Sequence, residues 1–161
     1  MKQDTIQIER CLSSVPNFQS WKQNAIKTKA DLQFAPEDFY LIDTDGNRVS
    51  YFSWGEAIRI ERHILLPNGW CLPTLCEWER ICGHYKSVRS LTNDLLLGFH
   101  GWFNPYNGSV SSEGIAGYYW SSKADDFHNA FSLEFRKTNM FPHIYSNSRF
   151  YKFSIRCIVD A

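Results

Sequence analysis

Apolar residues recur at helical spacing in four places before residue 86 and alternate with polar ones after residue 117. Ile8, Leu12 and Val15 follow Asp4 and predict a first helix, which Pro16 and Asn17 end. Phe18, Trp21 and Ala25 predict a second, short one. Ser53 and Glu56 have the spacing of a capping box, ahead of the apolar set Trp54, Ala57, Ile58 and Leu65. Thr74 and Glu77 repeat the device after Pro73, and Leu75, Trp78, Ile81 and Cys82 carry that helix to about His84. Ahead of the first capping box, the stretch DFYLIDTDGNRVSYF alternates around Asp45-Gly46, a dipeptide that closes a β-hairpin. From residue 86 to Gly117 the chain is rich in glycine and reads as loop. The stretches YYWSS, AFSLEF, Met140 to Tyr145 and FSIRCIV then read as strands. Helices first and an antiparallel sheet later predict an α+β domain over residues 36–161, with residues 1–35 as a helical N-terminal extension.

Composition narrows what such a domain does. Lys plus Arg and Asp plus Glu both number 17, so the chain has no general attraction for phosphate backbones and no nucleic-acid partner is expected. No apolar run is long enough for a membrane span, and the first residues lack the apolar core of a secretory leader. The expected location is therefore the cytoplasm. Twelve Phe, eight Tyr and six Trp are a high aromatic share, and the excess must either pack in the interior or face a partner.

The segment GWCLPTLCEWERICGH holds three cysteines and a histidine, yet neither metal nor thiol chemistry fits it. Cys76 and Cys82 lie six residues apart on one helix, about 9 Å along its axis and on different faces, too far for one zinc with bonds of about 2.3 Å. No Cys-x-x-Cys pair is present. These thiols are expected to be buried and reduced, and His84 to close the helix. Asp43, Asp45 and Asn47 lack the glycine and the glutamate that a calcium loop places at its sixth and twelfth positions. No metal and no cofactor is expected.

Three motifs occur in order: Gly69-Trp70-Cys71-Leu72-Pro73-Thr74 with Glu77-Trp78, Gly117-Tyr-Tyr-Trp-Ser-Ser122, and Phe153-Ser-Ile-Arg-Cys157. Together they resemble C-type-lectin-fold domains of the Fibrobacter succinogenes major paralogous type, and most of all the variable proteins of diversity-generating retroelements. The resemblance covers roughly residues 39–161. It implies a C-type lectin-like fold that displays a ligand-binding surface. In such proteins an error-prone copy of a template replaces the 3′ end of the gene, with changes confined to template adenines. Here the frame would be Tyr119 to Ser122, Ala130, Leu133, Phe135, Pro142, Arg149 and Phe153 to Cys157. The diversified, ligand-binding set would be Phe127, His128, Asn129, Phe131, Ser132, Phe141, His143, Ile144, Tyr145, Ser146, Asn147, Phe150 and Tyr151. Glu134 and Lys137 depart from that codon pattern, and Lys152 stands where the resemblance would lead one to expect glycine. The resemblance also makes a phage particle the expected alternative to a cytoplasmic location.

The residues support this reading on their own terms. Tyr, Phe, His, Asn and Ser alternating on an antiparallel sheet offer contact area at low rotamer cost, as a paratope does. The competing reading makes Phe127, Phe141, Phe150 and Tyr151 core or edge-strand residues. A macromolecular partner, protein or glycan, is expected, with Trp54, Trp70, Trp78 and Trp120 as buried scaffold. Alternatives are a static binding or structural module of the same fold, or an oxidoreductase like the formylglycine-generating enzymes. Those enzymes need a reactive cysteine pair in the C-terminal half, where Cys157 stands alone, and related iron enzymes need a histidine set that His63, His84, His100, His128 and His143 do not form. No catalysis is expected.

Overall fold

A computed structural model describes residues 18–62, 66, 69–139 and 141–159. The expected first helix, Leu65 of the third helix and Met140 lie outside the described residues. The described residues form a mixed α+β fold of four helices and several small antiparallel sheets.

The first helix, α1 (Phe18–Gln23), buries Trp21 against the rings of Phe39 and Trp70, with centroids 6.5 and 5.3 Å away. β1 (Ile26–Lys27) and β2 (Gln33–Phe34) follow. The chain then makes the hairpin β3 (Leu41–Ile42) and β4 (Arg48–Val49), in register Leu41 with Val49. Gly46 takes the left-handed φ of 82° that its turn requires, and Asp43 Oδ1 accepts the amides of Asp45 and Asn47.

Both capping boxes form. The Ser53 amide donates to Glu56 Oε1 at 2.8 Å and the Glu56 amide to Ser53 Oγ at 3.2 Å, opening α2 (Trp54–Arg62). Thr74 and Glu77 exchange the same pair at 2.8 and 3.1 Å, opening α3 (Leu75–His84) after β5 (Trp70–Cys71). A further helix, α4 (Val88–Leu95), occupies what the glycine-rich reading takes as loop; Ser87 caps it, and Val88, Leu91 and Leu95 form its buried stripe. β6 (Trp102–Asn104) and β7 (Ser109–Ser111) form a small hairpin.

The largest sheet is β8 (Ala116–Ala124), β9 (Asn129–Arg136) and β10 (His143–Ser148), with β9 in the middle. Side chains alternate across it, so its two faces enter two different cores. Trp120 and Ala130 join Phe52, Phe153, Ile155 and the α2 residues Ala57 and Ile60. Tyr119, Leu133 and Phe135 join Trp78, Ile81, Leu91 and Leu95 from α3 and α4. The expected open outer face therefore does not exist at β8 and β9; only the edge strand β10 is largely uncovered.

The last strand, β11 (Ile158–Val159), lies between β2 and β5, with Ile158 paired to both Phe34 and Cys71. Residues 18–35 are thus woven into the domain and are not a separate helical extension. Trp21 in the core and β2 in the sheet are the physical reasons. Trp70, Trp78 and Trp120 are buried as expected, whereas Trp54 is only partly so: it starts α2 at the surface and donates its indole N–H to the Ser121 carbonyl.

One buried polar cluster ties the elements together. Arg156, 1% exposed, meets Asp38 Oδ1 at 2.8 Å and donates to the carbonyls of Ala35, Leu95 and Leu96. Tyr119 donates its hydroxyl to Asp38 at 2.9 Å and accepts the Gly98 amide. Burial, and then the Asp38 charge, push the Tyr119 hydroxyl well above the usual tyrosine range.

Candidate binding surface

Opposed residues in an antiparallel pair share a face. The register of β10 on β9 therefore sorts the predicted binding residues. His143, Tyr145 and Asn147 stand opposite Glu134, Ser132 and Ala130, on the Trp120 side. Ile144, Ser146 and Ser148 stand opposite Leu133, Phe131 and Asn129, on the Tyr119 side. The set expected to form one surface is divided between two faces and the loops at both ends.

Several members are not surface groups. Ser132 is fully buried, and Asn147 donates its side-chain amide to Ser132 Oγ at 2.8 Å, so the two satisfy one another. Tyr151 packs on Trp102, ring centroids 4.5 Å apart, at the margin of the first core. Ile144 packs against the second core, and Phe131 is half-buried. Asn129 is spent on its own loop, its side-chain amide donating to the Asp126 carboxylate. Ser146 is exposed and donates to Asp125 Oδ2 at 2.6 Å. His128 and His143 are exposed. Of the predicted set, the large exposed rings are Phe127 at 86%, Phe150 at 59%, Phe141 at 49% and Tyr145 at 47%; Tyr106, outside it, is 75% exposed.

These rings fall at two ends of the sheet. Ser148 pairs with Asn129 at one end and His143 with Glu134 at the other, about 17 Å apart at the usual rise per strand residue. Phe127, His128 and Phe150 sit in loops at the first end. Phe141 and His143 belong to the second, and Tyr145 lies between, its ring 5.8 Å from that of His143.

Arg149 organises the first end. Its guanidinium lies 4.5 Å over the Trp54 ring and donates to the carbonyls of Asn129 and Asp126. Its amide donates to the His128 carbonyl, and its own carbonyl accepts from the Trp54 amide. One side chain thereby clamps the β8–β9 loop, the turn after β10 and the start of α2. Asp126 locks the loop from within, Oδ1 accepting the amides of His128 and Asn129 at 2.8 Å each. The His128 amide, followed by the Asn129 side chain, holds the Asp126 carboxyl below its ordinary range. Sequence reasoning places Arg149 in the frame without this role and misses Asp126; the signal present is Asp-Asp-Phe-His-Asn, a pattern that favours side-chain-capped turns.

The cysteines are arranged differently from expectation. Cys76 is exposed, Cys71 and Cys82 are half-buried, and Cys157 is the buried one. The helix bearing Cys76 and Cys82 turns only Trp78 and Ile81 fully inward, which leaves Cys76 in solvent. Burial pushes the Cys82 thiol up to about 11, with Glu79 adding to the effect, and that of Cys157 well above the usual range. Such thiols carry little thiolate at neutral pH and are weak nucleophiles. Among the described residues no group of three or more His, Cys, Asp or Glu side chains converges as a metal site. No helix among them is long and apolar enough to cross a membrane. Comparison with protein-family models, with curated proteins and with solved structures returns no match.

Proposed function

We propose that the protein is a non-catalytic binding module with a C-type lectin-like fold, of the kind found in retroelement variable proteins. It holds a protein or glycan partner through the exposed side chains of residues 127–150. The observation that carries this reading is where the exposed rings lie. Four of the eight large hydrophobic side chains exposed among the described residues belong to this segment: Phe127, Phe141, Tyr145 and Phe150. Exposed aromatic side chains concentrated in one segment of the chain mark a partner surface, where aromatic anchors dominate binding energy.

The Arg149 clamp supports the reading further. It holds the loops bearing Phe127 and Phe150 in place before any partner arrives, which lowers the ordering cost of binding. The motif residues support the fold: Trp70 to Trp78 build β5 and α3, Tyr119 and Trp120 supply one ring to each core, and Phe153 to Cys157 are buried. Within the tail, the freely variable positions are then Phe127, His128, Phe141, His143, Tyr145, Ser146 and Phe150. Ser132 and Tyr151 belong with the frame.

Two measurements test this. Codons 118 to 161 sequenced across many isolates should vary at those exposed positions, beside a near-copy of the tail that differs at template adenines. An invariant tail with no such copy would remove diversification and leave a static module. Separately, a Phe127→Ser, Phe150→Ser double variant should weaken capture of any partner bound by the parent at least tenfold, about 1.4 kcal/mol. Its melting temperature should match the parent's, because exposed substitutions change stability by only about 0.5 kcal/mol. Marked destabilisation would return these rings to a structural role.

A further inference from the structure

At the end of the sheet away from Phe127 and Phe150, α4 and the turn after β9 flank an open cleft of about 400 Å³, a size within the range of small-ligand sites. Its walls combine Val88 and Phe99 with Arg89, Lys137, Asn93 and Asn139, and no carboxylate lines it. The chain is formally neutral, so two cations without an acid in one concavity are a local excess. Among the described residues neither cation has an ion-pair partner. The Lys137 ammonium is held 5.0 Å from the centroid of the Phe99 ring.

Each part of this lining recognises a different feature of a ligand. A guanidinium takes an oxyanion through two parallel hydrogen bonds, and a neighbouring ammonium adds a point charge. Side-chain amides both donate and accept, which suits vicinal hydroxyls. The part-exposed Phe99 ring in the lining offers an apolar surface to the C–H face of a ring. An anion, hydroxyls and an apolar ring face occur together in an acidic sugar. We infer that this cleft binds a carboxylate-bearing sugar unit, at a site separate from the aromatic surface and independent of its function.

The test is an amide-resolved NMR titration with glucuronate, with glucose as the neutral counterpart and acetate as the bare anion. Glucuronate should shift the amides of residues 87–93 and 137–139 saturably, with a dissociation constant on the order of millimolar. An Arg89→Gln, Lys137→Gln double variant should bind at least tenfold more weakly. Both side chains are exposed, so unchanged shifts elsewhere will establish that the variant is folded. The Phe127→Ser, Phe150→Ser variant should bind glucuronate like the parent. The inference is overturned by an absence of saturable shifts with glucuronate, by glucose or acetate acting as strongly, or by undiminished affinity in the double variant at the cleft.

Discussion

Arg156→Ala is expected to cost about 3–5 kcal/mol, the range for removing one partner of a buried ion pair. Against a total stability of roughly 5–15 kcal/mol, that leaves the chain marginal or unfolded. The reason is the number of groups that depend on one guanidinium. Asp38, 11% exposed at its side chain, loses the buried guanidinium that it pairs with. The carbonyls of Ala35, Leu95 and Leu96 lose a donor at the same time. Leu96 closes α4 in the left-handed conformation, φ 56°, where glycine is usual, so the segment has strain that these bonds offset. Lysine should rescue little, because an ammonium cannot reproduce the fork that spans Asp38 and the helix end. Urea unfolding followed by tryptophan fluorescence measures the loss; a change below about 1 kcal/mol would mean that the cluster is not the structural tie described.

Trp120→Ala should be nearly as damaging, at about 3–5 kcal/mol. The ring is fully buried and stacks on Phe153 with centroids 4.2 Å apart. Its indole N–H donates to the Phe52 carbonyl at 2.7 Å. That carbonyl also accepts the Phe153 amide, so it is not left without a donor, and the loss comes mainly from the cavity. Trp120→Phe should therefore recover more than half of the stability, since it keeps the stack and forfeits one hydrogen bond worth about 1 kcal/mol. Equal damage from Phe and Ala would shift the weight from packing to the hydrogen bond. Wild-type stability in Trp120→Ala would overturn the placement of this ring in the core.

How far the sequence reached follows the range of the interactions involved. Both capping boxes and the Asp45-Gly46 hairpin are contacts within a few residues, and all three were legible. So was the burial of Trp70, Trp78 and Trp120, because large rings at helical or alternating spacing have few other places to go. α4 is equally local, with Ser87 before Val88, Leu91 and Leu95, but the glycines from Gly98 onward give the whole region the composition of a loop. The pairing of β2 with β11 was not legible: strands of two residues have no period, and their partners are far apart in the chain. The candidate surface suffered from the same limit. Alternation gives the two faces of a strand, but which of them is covered depends on α2, α3 and α4 packing from elsewhere. Ser132 is as small and polar as the exposed Ser146, yet it is interior because its place on β9 is covered.

The position of β11 between β2 and β5 also bears on kinetics. Phe34 and Ile158 meet only after nearly the whole described chain has been brought round. Closing so long a loop is entropically unfavourable before the contact exists to reward it, so this sheet is expected to form late and slowly. Until it does, Trp21, Phe34 and Ile158 have no complete hydrophobic surroundings. Helices as short as α2 and α3 are marginal on their own, so they gain lasting order only with the packing around them, and the refolding rate would report on this closure rather than on helix formation.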